Sequence, residues 1–353
     1  MRLTRLNGSR ALARGLALLA AFVVVGACDM NGDPSLAGGD PIRFTIPPGS
    51  GFGAVTDTLT SRGLVSSPTA FRLYARYKRL DRAIKPGVYE TPPGLAWEDL
   101  LGKLVRGDIV QMTLVVPEGW TLSQIVPRLA DAAGVPADSL LEALLSEEAA
   151  ERYDVDGPTL EGYIYPATYI FPLGSTVETM VRGMVDRYRQ VWTEERLAAA
   201  DSIGLSTREI VTLASIVEKE ARVWGERDTI AAVYRNRLRI GMPLQADPTV
   251  QYARGAHETR LLYAHIDEVA DHPYNTYRRA GLPPGPIASP STGAIDATLR
   301  PADVDFLYFV ARPNGTHIFT RSLREHNNAR QVVARLAAEA QRQAASPPAT
   351  GNP

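Results

Sequence analysis

The sequence predicts an α+β protein in two parts: a small α+β unit over residues 42–112, then a mainly helical domain over residues 113–343 that carries a β-hairpin. Three observations predict this. "IRFTI" (42–46) alternates apolar and polar residues as a half-buried strand does, and the segments behind it have helical period and punctuation. Beyond residue 113, three helix starts show the capping-box pattern: Ser175 with Glu178, Ser206 with Glu209, and Ser322 with Glu325. Finally, "FLYFVARPNGTHIFT" (306–320) is two β-rich runs around Asn314-Gly315, the strongest short hairpin signal.

The elements follow in order. Arg2, Arg5, Arg10 and Arg14 precede "GLALLAAFVVVGAC" with no acid among them, the pattern of an export signal over residues 1–28. Fourteen helical residues span about 21 Å, against a hydrocarbon core of roughly 30 Å. Two readings remain open. In one, "VGAC" is a lipoprotein cleavage box and Cys28 is the lipidated first residue of the mature chain. In the other, the helix starts near Ala11, Arg14 snorkels, and the segment stays as a single-pass anchor with its N-terminus inside. Both put the rest of the chain on the outer side of the cytoplasmic membrane. Residues 29–41, "DMNGDPSLAGGDP", read as a linker. In "SSPTAFRLYARYKRL", Ser67 is placed as N-cap and Pro68 at the first helical position. "KPGVYE" is a turn and a strand, and "LAWEDLLGKLVRG" an amphipathic helix closed by Gly107. Residues 344–353 read as a disordered tail.

Composition narrows the function. Of 353 residues, 45% are hydrophobic and 22% charged, as in ordinary globular proteins. Lys plus Arg (38) nearly balance Asp plus Glu (39), so no nucleic acid partner is expected. The single cysteine excludes an intramolecular disulfide and a multi-cysteine metal site, and the five histidines have no ligand spacing. No metal or cofactor is expected.

The chemistry concentrates in "LASIVEKEA" (213–221). From Ser206, at about 100° per residue, Ile210, Val211, Leu213, Ala214, Ile216 and Val217 point in nearly every direction, so this helix is buried all round. Glu218 lies beside Val211, Ala214 and Ser215, while Glu220 falls roughly 200° further round. Burial would hold a proton on Glu218, as general-acid cleavage of a glycosidic bond requires. The plainer alternative is a Glu218–Arg222 pair at i,i+4, worth about 0.3–0.5 kcal/mol. From spacing alone both stand.

Four motifs in order, "LEGYIYPATY" (160–169), "LASIVEKEA", "RNRLRIGMPLQADPTVQYA" (235–253) and "YNTYRRAGLPPGPIASPS" (274–291), resemble those of the endolytic murein transglycosylases of the MltG (YceG-like) family. The likeness runs from about residue 42 to 340. It implies that residues 42–112 are similar to a LysM module and that the catalytic glutamate lies in "VEKE", which places it at Glu218 in preference to Glu220. The reaction it implies is cleavage of MurNAc-β-1,4-GlcNAc bonds within peptidoglycan strands, leaving 1,6-anhydro-MurNAc ends. One carboxyl then suffices, because the substrate's own C6 hydroxyl replaces water. Also implied are action on nascent strands at the membrane, an end to strand elongation, and work beside the peptidoglycan synthases.

Other candidates stand beside Glu218. Glu161 is a candidate second acid, with Tyr163, Tyr165 and Tyr169 as sugar platforms or as core residues. The family carries an acid after the proline where this chain has Ala167. In "QADPTV", Gln245, Asp247 and Thr249 are substrate-contact candidates, though Asp247 also reads as an N-cap followed by Pro248 at the first helical position. Asn275 and Tyr277 of "YNTY" could bond N-acetyl groups, or Asn275 could be a turn residue. The arginines of "YRNRLRIG" read as a solvated face over Ile230, Val233, Tyr234 and Leu238. Rival readings are a noncatalytic glycan-binding scaffold and a hydrolytic muramidase with Glu161 as partner acid.

Overall fold

A computed structural model describes residues 32, 33, 35, 36, 38–256, 258 and 261–345. The expected export or anchor segment with Cys28 lies outside the described residues, as does the tail from residue 346. Among the described residues, no helix is long and apolar enough to cross a membrane. The chain forms two compact units. The first runs to Thr113 and takes in Ile170–Ser175, and the second holds Leu114–Tyr169 and the chain from Thr176 onward. The short return of 170–175 has no sequence signal.

In the first unit, strand β1 (Ile42–Ile46), helices α1 (Phe52–Ser61) and α2 (Pro68–Tyr77), strand β2 (Gly87–Thr91) and helix α3 (Trp97–Arg106) follow one another. β1 and β2 pair antiparallel, with Phe44 opposite Tyr89 and their rings stacked at 5.6 Å. The alternation of β1 buries Phe44 and Ile46 against Val55, Leu59, Phe71, Trp97, Leu101 and Leu104. Pro68 starts α2 after Ser67, whose side chain makes no capping bond. Gly107 ends α3 in the left-handed conformation (φ 77°) that glycine adopts without strain.

Strand β3 (Gln111–Val116) leads to helices α4 (Leu122–Ala133), α5 (Ala137–Leu144) and α6 (Glu147–Arg152), and strand β4 (Ala167–Pro172) pairs with β3. There follow α7 (Val177–Arg189), α8 (Glu194–Ile203), α9 (Thr207–Glu220), a 3₁₀ turn (Trp224–Glu226), α10 (Arg227–Arg239), α11 (Asp247–Arg254), α12 (Tyr263–Glu268) and α13 (Thr292–Leu299). Strands β5 (Tyr308–Ala311) and β6 (His317–Thr320) and helix α14 (Leu323–Ala345) are the last elements of the described residues.

The capping boxes divide three ways. At α9 the box is complete: Ser206 Oγ accepts from Glu209 N–H at 3.2 Å, and the Glu209 carboxylate accepts from Ser206 N–H at 2.8 Å. At α14 Ser322 Oγ accepts from Glu325 N–H, while the Glu325 carboxylate accepts from Arg321 N–H. At α7 the expectation fails by one residue. Thr176 is the N-cap, accepting from Thr179 N–H, and Glu178 turns instead to the Tyr153 hydroxyl and Arg182. The β5–β6 hairpin forms with Ala311 opposite His317, which leaves a five-residue loop, Arg312–Thr316, where Asn314-Gly315 suggested a two-residue turn. Asn314 Oδ1 accepts from Thr316 N–H, and Gly315 takes a φ of 86°.

Candidate active site

α9 is the axis of the second unit. Ile210, Val211 and Ala214 pack into one apolar cluster with Tyr163, Tyr188 and Ile295, while Leu213, Ile216 and Val217 pack into another with Ile230, Tyr234 and Ile287. A helix sandwiched between two clusters must be buried all round where they meet it, which is why Ile210–Val217 has no charged face, while the exposed Arg208 and Lys219 stand at its two ends. At Ala221 the backbone turns extended (ψ 100°) and the helix stops. The 3₁₀ turn then reverses the chain, so that α10 begins with Arg227 beside the last turn of α9.

There Arg227 Nη2 donates to Glu218 Oε1 at 2.7 Å, and the two side chains are only 5% and 6% exposed. The expected i,i+4 partner, Arg222, is replaced because it lies past the helix end and no longer has helical spacing. Glu218 Oε2 accepts from Ser291 N–H at 3.0 Å and from Ser291 Oγ at 2.5 Å. The same Oγ is the N-cap of α13, accepting from Ala294 N–H at 3.2 Å. One hydroxyl thus acts as donor and acceptor at once, and the positive end of α13 faces the carboxylate.

The segment after β3 forms another wall. Lys219 Nζ donates to Gly119 O at 3.2 Å. Gly119 N–H donates to Ser289 O and Ser289 N–H to Trp120 O, both at 2.8 Å, tying "PEGW" to the segment that ends in Ser291. Gly119 has a φ of 69°, and a Cβ there would lie 3.5 Å from Glu218 Cγ. Its neighbour Glu118 is exposed, yet the protein around its carboxyl raises its pKa; the Glu218 charge adds to that rise and Arg227 opposes it.

Glu220 looks the other way. It accepts from the Tyr234 hydroxyl at 3.0 Å, and burial, helped by the charge of Asp247, pushes its pKa up to about 7. Asp247 in turn accepts from the Tyr277 hydroxyl at 2.5 Å. These predicted site residues therefore gather around Glu220. Asp247 is the first residue of α11 and not its N-cap; that position belongs to Ala246, whose N–H donates to Thr276 Oγ1. Gln245 is exposed in a left-handed conformation (φ 49°).

The remaining candidates hold the fold. Thr249 is fully buried and bonds Ala246 O and Thr276 Oγ1. Asn275, also fully buried, donates to Ile266 O and Val269 O and accepts from Tyr277 N–H, so its amide is spent inside the protein. Tyr163 is a core residue bonded to Asp156 O, and Tyr165 is buried with its hydroxyl on Thr292 Oγ1. Neither offers a free face to a sugar. Tyr169 is half-buried, its hydroxyl on Tyr165 O. Both oxygens of Glu161 accept from Leu122 N–H at the start of α4 (3.0 and 3.1 Å), and its burial pushes the pKa up to about 8. Of the "YRNRLRIG" arginines, Arg237 departs from the expected solvated face. It is buried, donating to Leu307 O and Leu244 O. A cavity of about 900 Å³ lined by Leu205, Arg235, Arg239, Asp303 and Arg321 among others includes none of the predicted site residues.

The partners that hold Glu218 were not foreseen. Arg227 is nine residues on, across a helix end, and no local periodicity links them. Ser291 stands just before a helix, where an N-cap reading could have flagged it.

Residues 44–332 match the model of the YceG-like family. Over 306 residues the chain is 33% identical to a Bacillus subtilis (strain 168) protein named endolytic murein transglycosylase, covering 82% of this chain and 84% of that one. A protein of the same name from Streptococcus pneumoniae (serotype 2, strain D39) is 33% identical over 315 residues. That match covers 76% of this chain but 54% of the pneumococcal protein, so the chain spans about half the length of that relative. A crystal structure of a YceG-like protein from Listeria monocytogenes is similar with a TM-score of 0.56 and 31% identity, over 82% of this chain and 98% of that one.

Proposed function

Because the chain belongs to the YceG-like family, in which its relatives bear the name endolytic murein transglycosylase, we propose that it is a peptidoglycan lytic transglycosylase with Glu218 as its acid and base. One observation supports this most: a carboxylate just past the buried run Ile210–Val217 of α9, held by Arg227 and by both donors of Ser291. In the protonated form Glu218 gives its proton to the oxygen linking MurNAc to GlcNAc as the bond to the anomeric carbon breaks. As a carboxylate it then takes the C6 hydroxyl proton of the same MurNAc, and the C6 oxygen bonds to the anomeric carbon. The protein ends as it began, and no water is consumed. Ser291 Oγ can follow the change, since a hydroxyl that donates to the carboxylate can accept from the acid.

The reading extends to the protein's setting. Attachment through residues 1–28, by lipid on Cys28 or by a retained helix, would keep the enzyme at the outer face of the cytoplasmic membrane, where strands are new. A LysM-like role for residues 42–112 in holding glycan, an end to strand elongation, and cooperation with peptidoglycan synthases belong to the same proposal.

One observation favours a second reading. Glu118 supplies an exposed carboxyl near Glu218, and two carboxyls are what a hydrolytic muramidase uses. Glu161, the partner acid suggested by sequence, is committed to α4. Digestion of glycan strands by the full chain, followed by mass spectrometry, separates the two: 1,6-anhydro ends support the transglycosylase, and reducing MurNAc ends the hydrolase.

A further inference from the structure

We propose that Trp224 is a sugar-stacking platform of the Glu218 site, an aromatic face that carries one ring of a bound glycan strand. The inference rests on the reading of the protein as a glycan-cleaving enzyme and adds a binding residue to it.

Trp224 is 67% exposed, whereas Trp97 is 1% exposed and Trp120 and Trp192 are half-buried. A single exposed apolar residue is ordinary. What sets this one apart is how it is held. The Arg227 guanidinium carbon lies 3.9 Å from the centre of the indole ring, and Arg227 is itself only 5% exposed. One face of the indole therefore covers the guanidinium, and the other is left to solvent. Since Arg227 Nη2 is 2.7 Å from Glu218 Oε1, the indole centre lies no more than about 8 Å from that oxygen. That is the reach of adjoining rings along one glycan strand.

The neighbourhood makes room for this stack. At Gly293 a Cβ would sit 2.9 Å from Arg227 Nη1 and 3.9 Å from Trp224 Cζ3. Arg227 Nε and Nη1 have no hydrogen-bond partner among the described residues, so the guanidinium is held by its Nη2 bond to Glu218 and by its stack on the indole. An indole fixed from behind, with a free electron-rich face, suits the C–H face of a pyranose ring. A neutral hexosamine in β-1,4 linkage presents such a face.

The test compares the full chain in detergent with Trp224→Phe and Trp224→Ala. Co-sedimentation with purified sacculi measures binding, and counts of anhydro ends give kcat and KM on glycan strands. Trp224→Phe should keep sacculus affinity and KM within about threefold while abolishing the tryptophan emission change that the wild type should show on adding glycan. Trp224→Ala should weaken both at least tenfold with kcat within about threefold. A fall in kcat with affinity and KM unchanged would show a mere cover over Arg227 and overturn the proposal. Binding that depends on Trp224 without any anhydro ends would uphold the platform and refute the transglycosylase reading instead.

Discussion

Replacing Arg227 by methionine tests how Glu218 is held. Removing one member of a buried ion pair costs about 3–5 kcal/mol, because the other charge is left uncompensated. Two features reduce that cost here. Ser291 still donates twice to Glu218, and the substitution removes two buried nitrogens, Nε and Nη1, that lack hydrogen-bond partners, each relieving about 1 kcal/mol, the low end for such groups. The net loss should be about 1–2 kcal/mol. Glu218→Gln has no such relief, since it strands the buried guanidinium and weakens the Ser291 bonds; it should cost about 3 kcal/mol or more. The double variant should then be more stable than the sum of the two predicts, by at least about 2 kcal/mol. Urea unfolding followed by circular dichroism completes the cycle. A coupling below about 0.5 kcal/mol, or an Arg227→Met loss larger than that of Glu218→Gln, would refute the reasoning.

Other predictions follow from the same geometry. The raised pKa of Glu161 means that the folded state holds its proton more tightly than the unfolded chain; its stabilising effect is full below about pH 4.5 and lost as pH rises through about 8. Glu161→Gln should flatten that fall by up to about 5 kcal/mol in melts across this range; an unchanged slope would contradict the assignment. Asn275→Ala should cost about 3 kcal/mol in urea unfolding, since it strands three backbone groups; a KM effect without loss of stability would restore it as a substrate contact. Ser291→Ala removes both a helix cap and a bond to Glu218, so it should lower stability by about 1 kcal/mol and also lower kcat, with Ser291→Thr recovering most of both.

How far the sequence could be read depended on whether the cause was local. The all-apolar run of α9, the Ser206–Glu209 box and Gly107 at the end of α3 are set by periodicity and backbone geometry within a few residues, and they are legible. Glu218 stood out because it was the carboxylate at the edge of that run with no capping role. Its partners were not legible, because Arg227 and Ser291 reach it through a chain reversal and a separate helix. Motif residues were open to two readings. Asn275, Thr249, Glu161 and Tyr163 are polar or aromatic types that suit sugars equally well, but each spends its hydrogen bonds on the protein's own backbone or neighbours. Residue type suggested chemistry; only burial and partners showed where it was already used.

The most direct test of the account is the product of Glu218→Gln. The full chain and this variant, matched for folded fraction by circular dichroism, are incubated with uncrosslinked glycan strands, and the new ends are counted by mass spectrometry. The account predicts 1,6-anhydro-MurNAc ends from the wild type and a loss of at least about a hundredfold in the variant. Anhydro ends formed by Glu218→Gln at the wild-type rate would contradict it.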